Sequence, residues 1–259
     1  MESGITLVVG VGEVGGALAT VLEGSHRVTR LDLKPVPVEG PVKVMHICFP
    51  FTVRSSFENA ARAYIRRFAP ELTVINSTVL PGTTRNLAKA TGAAVVYSPV
   101  RGKHARMTDD LLRYSKFVSA LDERPARMAR EHFAAAGMKT SLIATPETLE
   151  LAKLAETTYF GVLIAFAQEL NRYAAAVGAD YDDVTNFFEE VDFLPPVKYY
   201  PGFIGGHCVM PNIKLLLQIA PAGLLQAVVD SNELRAKETD RQTNRPRDRA
   251  IGENEVGSL

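Results

Sequence analysis

The chain has no tryptophan and only two cysteines, Cys48 and Cys208, among its 259 residues. Two thiols exclude a disulfide framework and suit a reducing compartment such as the cytoplasm. Neither sign of charge prevails: 29 basic residues balance 29 acidic ones. No global field is therefore present to collect nucleic acid or an anionic membrane surface. Long apolar runs are missing too, and stretches such as Phe160 to Ala167 fall far short of a bilayer span. Met1-Glu2-Ser3 leads into an apolar stretch with no basic segment or cleavage site, so no signal peptide is expected. No internal repeat appears, and no metal site is expected. What is present, 46% hydrophobic residues, suffices for one large globular domain or two modest ones.

Residues 5–103 alternate short β-branched runs with helical stretches, the pattern of a parallel sheet with crossovers. Ile5–Val9, Arg27–Leu33, Val42–Phe49, Thr73–Ser77, Ala94–Ser98 and Lys116–Leu121 read as strands. Gly15–Glu23, Ser55–Phe68 and Glu123–Ala136 read as helices. After Pro146 the pattern changes. Glu147–Val177 keeps helical periodicity with no proline and a single glycine, Gly161, a length that suggests a spine between domains or across a dimer. Tyr181–Glu190 and an apolar stretch from Ile213 to Asn232 read as further helices. The expected fold is therefore α/β: an N-terminal Rossmann-type parallel sheet (residues 1–145) followed by an all-helical domain built on a long central helix (146–236). Residues 237–259, polar and charged, read as a disordered tail.

Gly10-Val11-Gly12-Glu13-Val14-Gly15 follows the first strand and opens the first helix. In this context the first glycine permits the tight turn and the second admits a pyrophosphate to the backbone. The third brings the helix close to the sheet, with its N-terminus aimed at the phosphates. Asp32 closes the second strand, where a carboxylate accepts ribose hydroxyls and repels a 2′-phosphate. NAD is therefore preferred to NADP, although Lys34 lies nearby.

Near the other end, Pro201-Gly202-Phe203-Ile204-Gly205-Gly206-His207-Cys208 sets one thiol in a glycine-dense loop. Glycines allow φ > 0 turns and remove the Cβ atoms that would block a carbonyl carbon from the sulfur. Together the two loops point to hydride transfer coupled to covalent catalysis; a tight turn around a buried, inert cysteine is the plainer alternative.

Further segments recur in order. They are Ile47-Cys48-Phe49-Pro50-Phe51-Thr52, Asn76-Ser77-Thr78-Val79-Leu80-Pro81-Gly82-Thr83-Thr84, Glu150-Leu151-Ala152-Lys153, Phe166-Ala167-Gln168-Glu169 and Gly205-Gly206-His207-Cys208. With them the chain, over roughly residues 5–235, resembles the UDP-glucose/GDP-mannose 6-dehydrogenase family. The resemblance implies oxidation of a sugar primary alcohol to a carboxylate in NAD-dependent steps. Cys208 would be the nucleophile, passing through a thiohemiacetal and a thioester. Lys153 would stabilise developing oxyanions or order a water, and Thr78 would hold a water or substrate oxygen, unless they serve as a solvated helix charge and a turn cap. Pro50, Thr52, Ser77 and Thr78 would lie against the cofactor, and Gly205, Gly206 and His207 against the substrate. A homodimer through the long helix and a small-molecule partner, a sugar nucleotide or an anionic sugar, are expected; nucleic acid and membrane are not.

The departures from the family pattern concern the chemistry. Val100 stands where the family carries a glutamate, Thr157 where it carries an asparagine four residues after the helix lysine, and Leu163 in place of a second lysine. Asn212 replaces the aspartate four residues after the cysteine, and Pro211 stands further from Cys208 than the family's proline. The resemblance also implies a member lacking the C-terminal nucleotide-binding domain. An amide at 212 cannot take a proton, which leaves His104 and His207 as candidate bases. Arg101, Lys103, His104 and Arg106 form a cationic cluster suited to an anionic substrate group. Two other functions stay open: a single-step hydroxy-acid dehydrogenase or reductase using the lysine alone, and a degenerate NAD-binding partner protein.

Overall fold

A computed structural model describes residues 4–34, 36–192 and 199–243, and the chain divides into two compact units, Met1–Ala155 and Glu156–Leu259.

The first unit contains β1 (Ile5–Val9), α1 (Glu13–Leu22), β2 (Val28–Leu31), β3 (Val42–Ile47), α2 (Arg54–Phe68), β4 (Leu72–Ile75), α3 (Thr83–Thr91) and β5 (Val95–Tyr97). A 3-10 turn (His104–Arg106), α4 (Met107–Arg113), β6 (Lys116–Ala120), α5 (Glu123–Ala135) and β7 (Thr140–Leu142) follow. The seven strands form one sheet in the order β2-β1-β3-β4-β5-β6-β7. Every residue of β1 is buried, because helices cover both faces of the sheet. Alternate residues therefore enter opposite cores: Val8 packs with Leu18, Leu22 and Phe133, whereas Leu7 and Val9 pack with Phe57, Ile65 and Leu87. The chain passes from β1 to β2 on one side and returns to place β3 on the other. That reversal leaves a crevice beyond the carboxyl ends of β1 and β3, where α/β sheets bind ligands.

The parallel sheet expected from the sequence holds from β2 through β5 and then changes. β6 pairs with β5 antiparallel, Val96 facing Ala120 and Tyr97 facing Ser119, and β7 runs parallel to β6. α4 is thus a short connection at the end where β5 finishes and not a crossover. α3, α4 and β7 are additions to the expected elements.

The long helix, α6 (Pro146–Val177), begins where the sequence placed it, but the boundary between units falls inside it, at Ala155. Its first turns carry Leu149 into the core with Leu7, Phe57 and Leu87, which accounts for the boundary. In the second unit α6 is followed by α7 (Tyr181–Asn186), a 3-10 turn (Phe187–Glu190), α8 (Val209–Ile219) and α9 (Gly223–Thr243). Asp180 caps α7, its carboxylate accepting the N–H groups of Asp182 and Asp183; the single helix expected over 181–190 is a helix and a 3-10 turn. The one helix expected from Ile213 to Asn232 is two. Pro221 lacks an N–H and its ring excludes the helical carbonyl beneath it, so α8 stops at Ile219 and α9 restarts at Gly223. α9 runs on to Thr243, into the expected tail, with Glu238 held by Arg172 at 2.7 Å and by Arg235 at 3.1 Å. Residues 244–259 of that expected tail lie outside the described residues. Among the described residues no helix is long and apolar enough to cross a membrane.

Candidate active site

The glycine loop between β1 and α1 has the backbone its sequence requires. Gly10 adopts φ +87, and a Cβ there would lie 2.7 Å from the Phe49 nitrogen. A Cβ on Gly15 would lie 1.8 Å from the Gly10 carbonyl oxygen. Gly12 faces open space, with nothing within 4 Å of a Cβ built on it. The first and third glycines thus permit close packing, and the second leaves the backbone at the mouth of α1 accessible. Glu13 and Val14 form the first turn of that helix. Asp32 lies just past β2, and its Oδ2 accepts the Val11 N–H at 2.8 Å while Oδ1 accepts that of Leu33 at 2.8 Å. An exposed carboxylate is thereby fixed at the loop's rim, and the open backbone at Gly12 beside this acid fits a dinucleotide in chemistry.

The Pro50–Thr52 and Ser77–Thr78 segments sit at the carboxyl ends of neighbouring strands, β3 and β4. The Ser77 hydroxyl donates to the Phe49 carbonyl at 2.6 Å and ties the two segments together. Thr78 follows, half-buried. Gly82 turns the chain with φ +93 into α3, where Glu150 accepts the N–H groups of Gly82 and Thr84 at 2.7 and 2.9 Å. One helical turn beyond that buried carboxylate, Lys153 is half-buried on α6. Burial raises the Glu150 carboxyl above its ordinary range, against the opposing hydrogen bonds from Thr84 and Gly82.

The cationic segment is more internal than its sequence suggested. Arg101 donates to the Ser115 carbonyl at 2.7 Å and lies 4.6 Å over the Phe117 ring. Arg106 pairs with the buried Asp110 carboxylate at 3.3 Å. Lys103 is exposed, and His104 opens the 3-10 turn. Val100, where the resemblance would place a glutamate, is 6% exposed and belongs to the apolar core.

In the second unit Cys208 is the N-cap residue of α8 and is half-buried. Gly205, Gly206 and His207 before it are exposed, and Gly206 takes φ +72. One turn along, the buried Asn212 donates its side-chain N–H to the Thr157 hydroxyl at 2.7 Å. Two positions singled out in the sequence, Asn212 and Thr157, are therefore partners. α8 lies close to α6 because residue 161 is glycine: a Cβ there would lie 2.6 Å from Val209 Cγ1 and 3.1 Å from Ile213 Cδ1.

A buried polar chain beneath the β1–β4 strand ends escaped the sequence reading, although its signal was a histidine inside an apolar strand. Asn76 meets His46 Nδ1 at 2.9 Å, and His46 Nε2 meets His132 Nε2 at 2.9 Å. Asn76 and Lys116 both donate to the Ser98 carbonyl, at 2.6 and 2.9 Å. Burial pushes the Cys48 thiol up to about 12, leaving it unreactive, and pushes the Lys116 ammonium down to about 7. Among the described residues no cluster of three or more His, Cys, Asp and Glu is placed to hold a metal.

The sheet with its switch-point crevice, the glycine loop and the helices that follow define an α/β protein of Rossmann type joined to a helical domain. Residues 147–234 match the UDP-glucose/GDP-mannose dehydrogenase family, central domain. A UDP-N-acetyl-D-mannosamine dehydrogenase of Methanocaldococcus jannaschii is 30% identical over 142 residues, covering 53% of this chain and 33% of that protein. One from Pyrococcus horikoshii is 29% identical over 179 residues, covering 62% and 41%. The chain thus spans less than half the length of these curated relatives. Among solved structures, a UDP-glucose dehydrogenase from Pyrobaculum islandicum superposes with a TM-score of 0.80 at 21% identity, over 93% of this chain and 70% of that one; at that identity the likeness concerns the fold.

Proposed function

We propose that the chain is an NAD-dependent dehydrogenase that oxidises the primary alcohol of a nucleotide sugar, with Cys208 as nucleophile. The observation that carries this reading is the position of Cys208: the N-cap of α8, at the end of a loop in which Gly202 and Gly206 face open space. A helix N-terminus favours an anion at that point. The names of the relatives, UDP-N-acetyl-D-mannosamine dehydrogenases, supply the substrate class.

NAD would supply the hydride acceptor, one molecule for the alcohol-to-aldehyde step and a second for the step to the acid level. Gly10, Gly12 and Gly15 would admit its pyrophosphate and Asp32 its ribose hydroxyls, and Ser77 and Thr78 would lie beside it. In the first oxidation the alcohol also releases its hydroxyl proton. The Cys208 sulfur then forms a bond to the aldehyde carbon, and the carbonyl oxygen, gaining negative charge, takes up a proton. Lys153 supplies the cation that stabilises that oxygen. After the second oxidation the carbon is a thioester. Water adds, the carbon–sulfur bond breaks, and the carboxylate leaves with the thiol restored. Asn212 can orient that water but cannot deprotonate it. Lys103 is the proposed contact to an anionic group of the substrate.

A second copy of the chain is the proposed partner. Tyr159, Phe166 and Tyr173 are 56%, 58% and 69% exposed and recur every seven residues along α6, an apolar stripe of the kind that packs against another helix. Sedimentation of the purified protein as a dimer, lost on Phe166→Glu, supports this; a monomer removes it.

The deciding experiment follows NADH formation against a panel of UDP- and GDP-sugars, sugar phosphates and hydroxy acids. Two NADH per substrate, with Cys208→Ser unable to complete the reaction, supports the proposal. One NADH and an active Cys208→Ser variant replaces it with a single-step dehydrogenase relying on Lys153.

A further inference from the structure

The loop that delivers Cys208 to α8 has little order of its own. Gly202, Gly205 and Gly206 carry no Cβ, and such residues lose the most conformational freedom when fixed. Gly205 donates its N–H to Phe203 at 3.1 Å, a tight local turn that leaves the rest of the loop to be held from outside.

Two buried amides do so. Asn232, on α9 and 4% exposed, accepts the Ile204 N–H at 2.8 Å and donates to the Ile204 carbonyl at 3.1 Å. Gln168, on α6 and fully buried, donates to the Gly202 carbonyl at 2.7 Å and to Asn232 Oδ1 at 3.2 Å. The orientation of both amides is set from behind. The Ser231 hydroxyl donates to Gln168 Oε1 at 3.0 Å, and Arg172 donates to that hydroxyl at 3.1 Å. Arg172 is itself paired with Glu169 and Glu238, each at 2.7 Å. Donors and acceptors alternate along the whole path, so neither amide can flip without stranding buried polar atoms. Ile204, gripped on both its backbone groups, also places its side chain in the apolar cluster with Val209 and Ile213 of α8. The same residue thus registers the loop against the helix that Cys208 caps.

We infer that Gln168 and Asn232 are positioning residues, an amide clasp that holds Gly202–Ile204 and so presents Cys208 in one geometry at the α8 N-terminus. This deepens the reading of Cys208 as nucleophile and rests on it. Three measurements test it.

In the unmodified protein the Ile204 amide, bonded to a buried oxygen, exchanges its hydrogen slowly; rapid exchange there overturns the clasp. In Asn232→Ala and Gln168→Met, alkylation of Cys208 by iodoacetamide, read on its own peptide against Cys48, slows on the order of tenfold at neutral pH. A merely structural role would lower the unfolding temperature and leave the alkylation profile of the folded protein unchanged, and that result overturns the inference. Gln168→Met, close to isosteric, carries the comparison if Asn232→Ala fails to fold, and the exchange measurement needs no variant. Turnover falls with KM little changed if the clasp serves catalysis. If Cys208→Ser retains full NADH production, the nucleophile reading fails by itself, whereas alkylation and exchange still report on the clasp.

Discussion

Glu150 and Thr84 lie 66 residues apart and meet twice: one carboxylate oxygen of Glu150 accepts both the backbone N–H of Thr84, at 2.9 Å, and its hydroxyl, at 2.6 Å. The other accepts the Gly82 N–H at 2.7 Å. A side chain on α6 thereby caps α3, which has no cap of its own. Next to it Glu147 grips Arg85 with both oxygens, at 2.6 and 3.1 Å. Glu150→Ala leaves three donors unmet, two of them buried, and is expected to cost about 2–4 kcal/mol, read as a lowered urea midpoint, with Glu150→Gln intermediate. An unchanged midpoint would show that water replaces the carboxylate.

Asp32 fixes the glycine loop through Val11 and presents its carboxylate at the loop's rim. Asp32→Ala removes an anchor and an acceptor together, so NADH should bind on the order of 10–100-fold more weakly in a calorimetric titration. NADPH, which the carboxylate would repel, should gain relative to NADH. Equal loss of both would place the ribose elsewhere.

Gly161 lets α8 approach α6. In Gly161→Ala the new methyl overlaps Val209 Cγ1, a stiff β-branched side chain with no far end to move aside. The expected loss of about 1–3 kcal/mol from overpacking exceeds the ~1 kcal/mol that alanine gains over glycine in a helix. A stabilised variant would mean that α8 shifts freely.

Lys116 is 4% exposed and bonded to two carbonyls, Ser98 at 2.9 Å and Pro99 at 3.3 Å. Burial lowers it from 10.5 to about 7. Between those values the unfolded chain holds a proton that the folded chain has released, so its contribution to stability grows with rising pH and is lost as pH falls toward 7. The slope is at most about 1.4 kcal/mol per pH unit. Urea midpoints should rise across this window in the native protein and rise less in Lys116→Met; parallel slopes would place the titration elsewhere.

Asn212 and Thr157 form a neutral pair at 2.7 Å. Asn212→Asp introduces a carboxylate one turn from Cys208, able to accept the Thr157 hydroxyl and to act as a base. Release of the acid from the thioester should quicken by about tenfold or more, seen as a faster approach to two NADH per substrate. No change would locate the base elsewhere, with His207 the next residue to replace.

Much of the first unit was legible because its signals are local. A glycine loop after an apolar strand and an acid after the next depend only on backbone conformation and on period-2 or period-3.6 burial. The break at Pro221 was equally local, though hidden inside an otherwise apolar stretch. The antiparallel β6 was not legible, because strand direction depends on the end of the sheet to which the connection returns.

The candidate site divides along the same line. The sequence by itself determined the residue types: a thiol among glycines, a lysine on a long helix, glycines and an acid fit for a dinucleotide, and an amide where a carboxylate would be expected. Tertiary structure alone decided their company. It paired Asn212 with Thr157, set Glu150 on α3, turned Arg101 inward to Ser115 and Phe117, and closed Gln168 and Asn232 on Gly202 and Ile204. Each of these hydrogen bonds joins residues well apart in the chain. Which of them form depends on how helices and strands pack, and that is a property of the whole fold that no single segment carries.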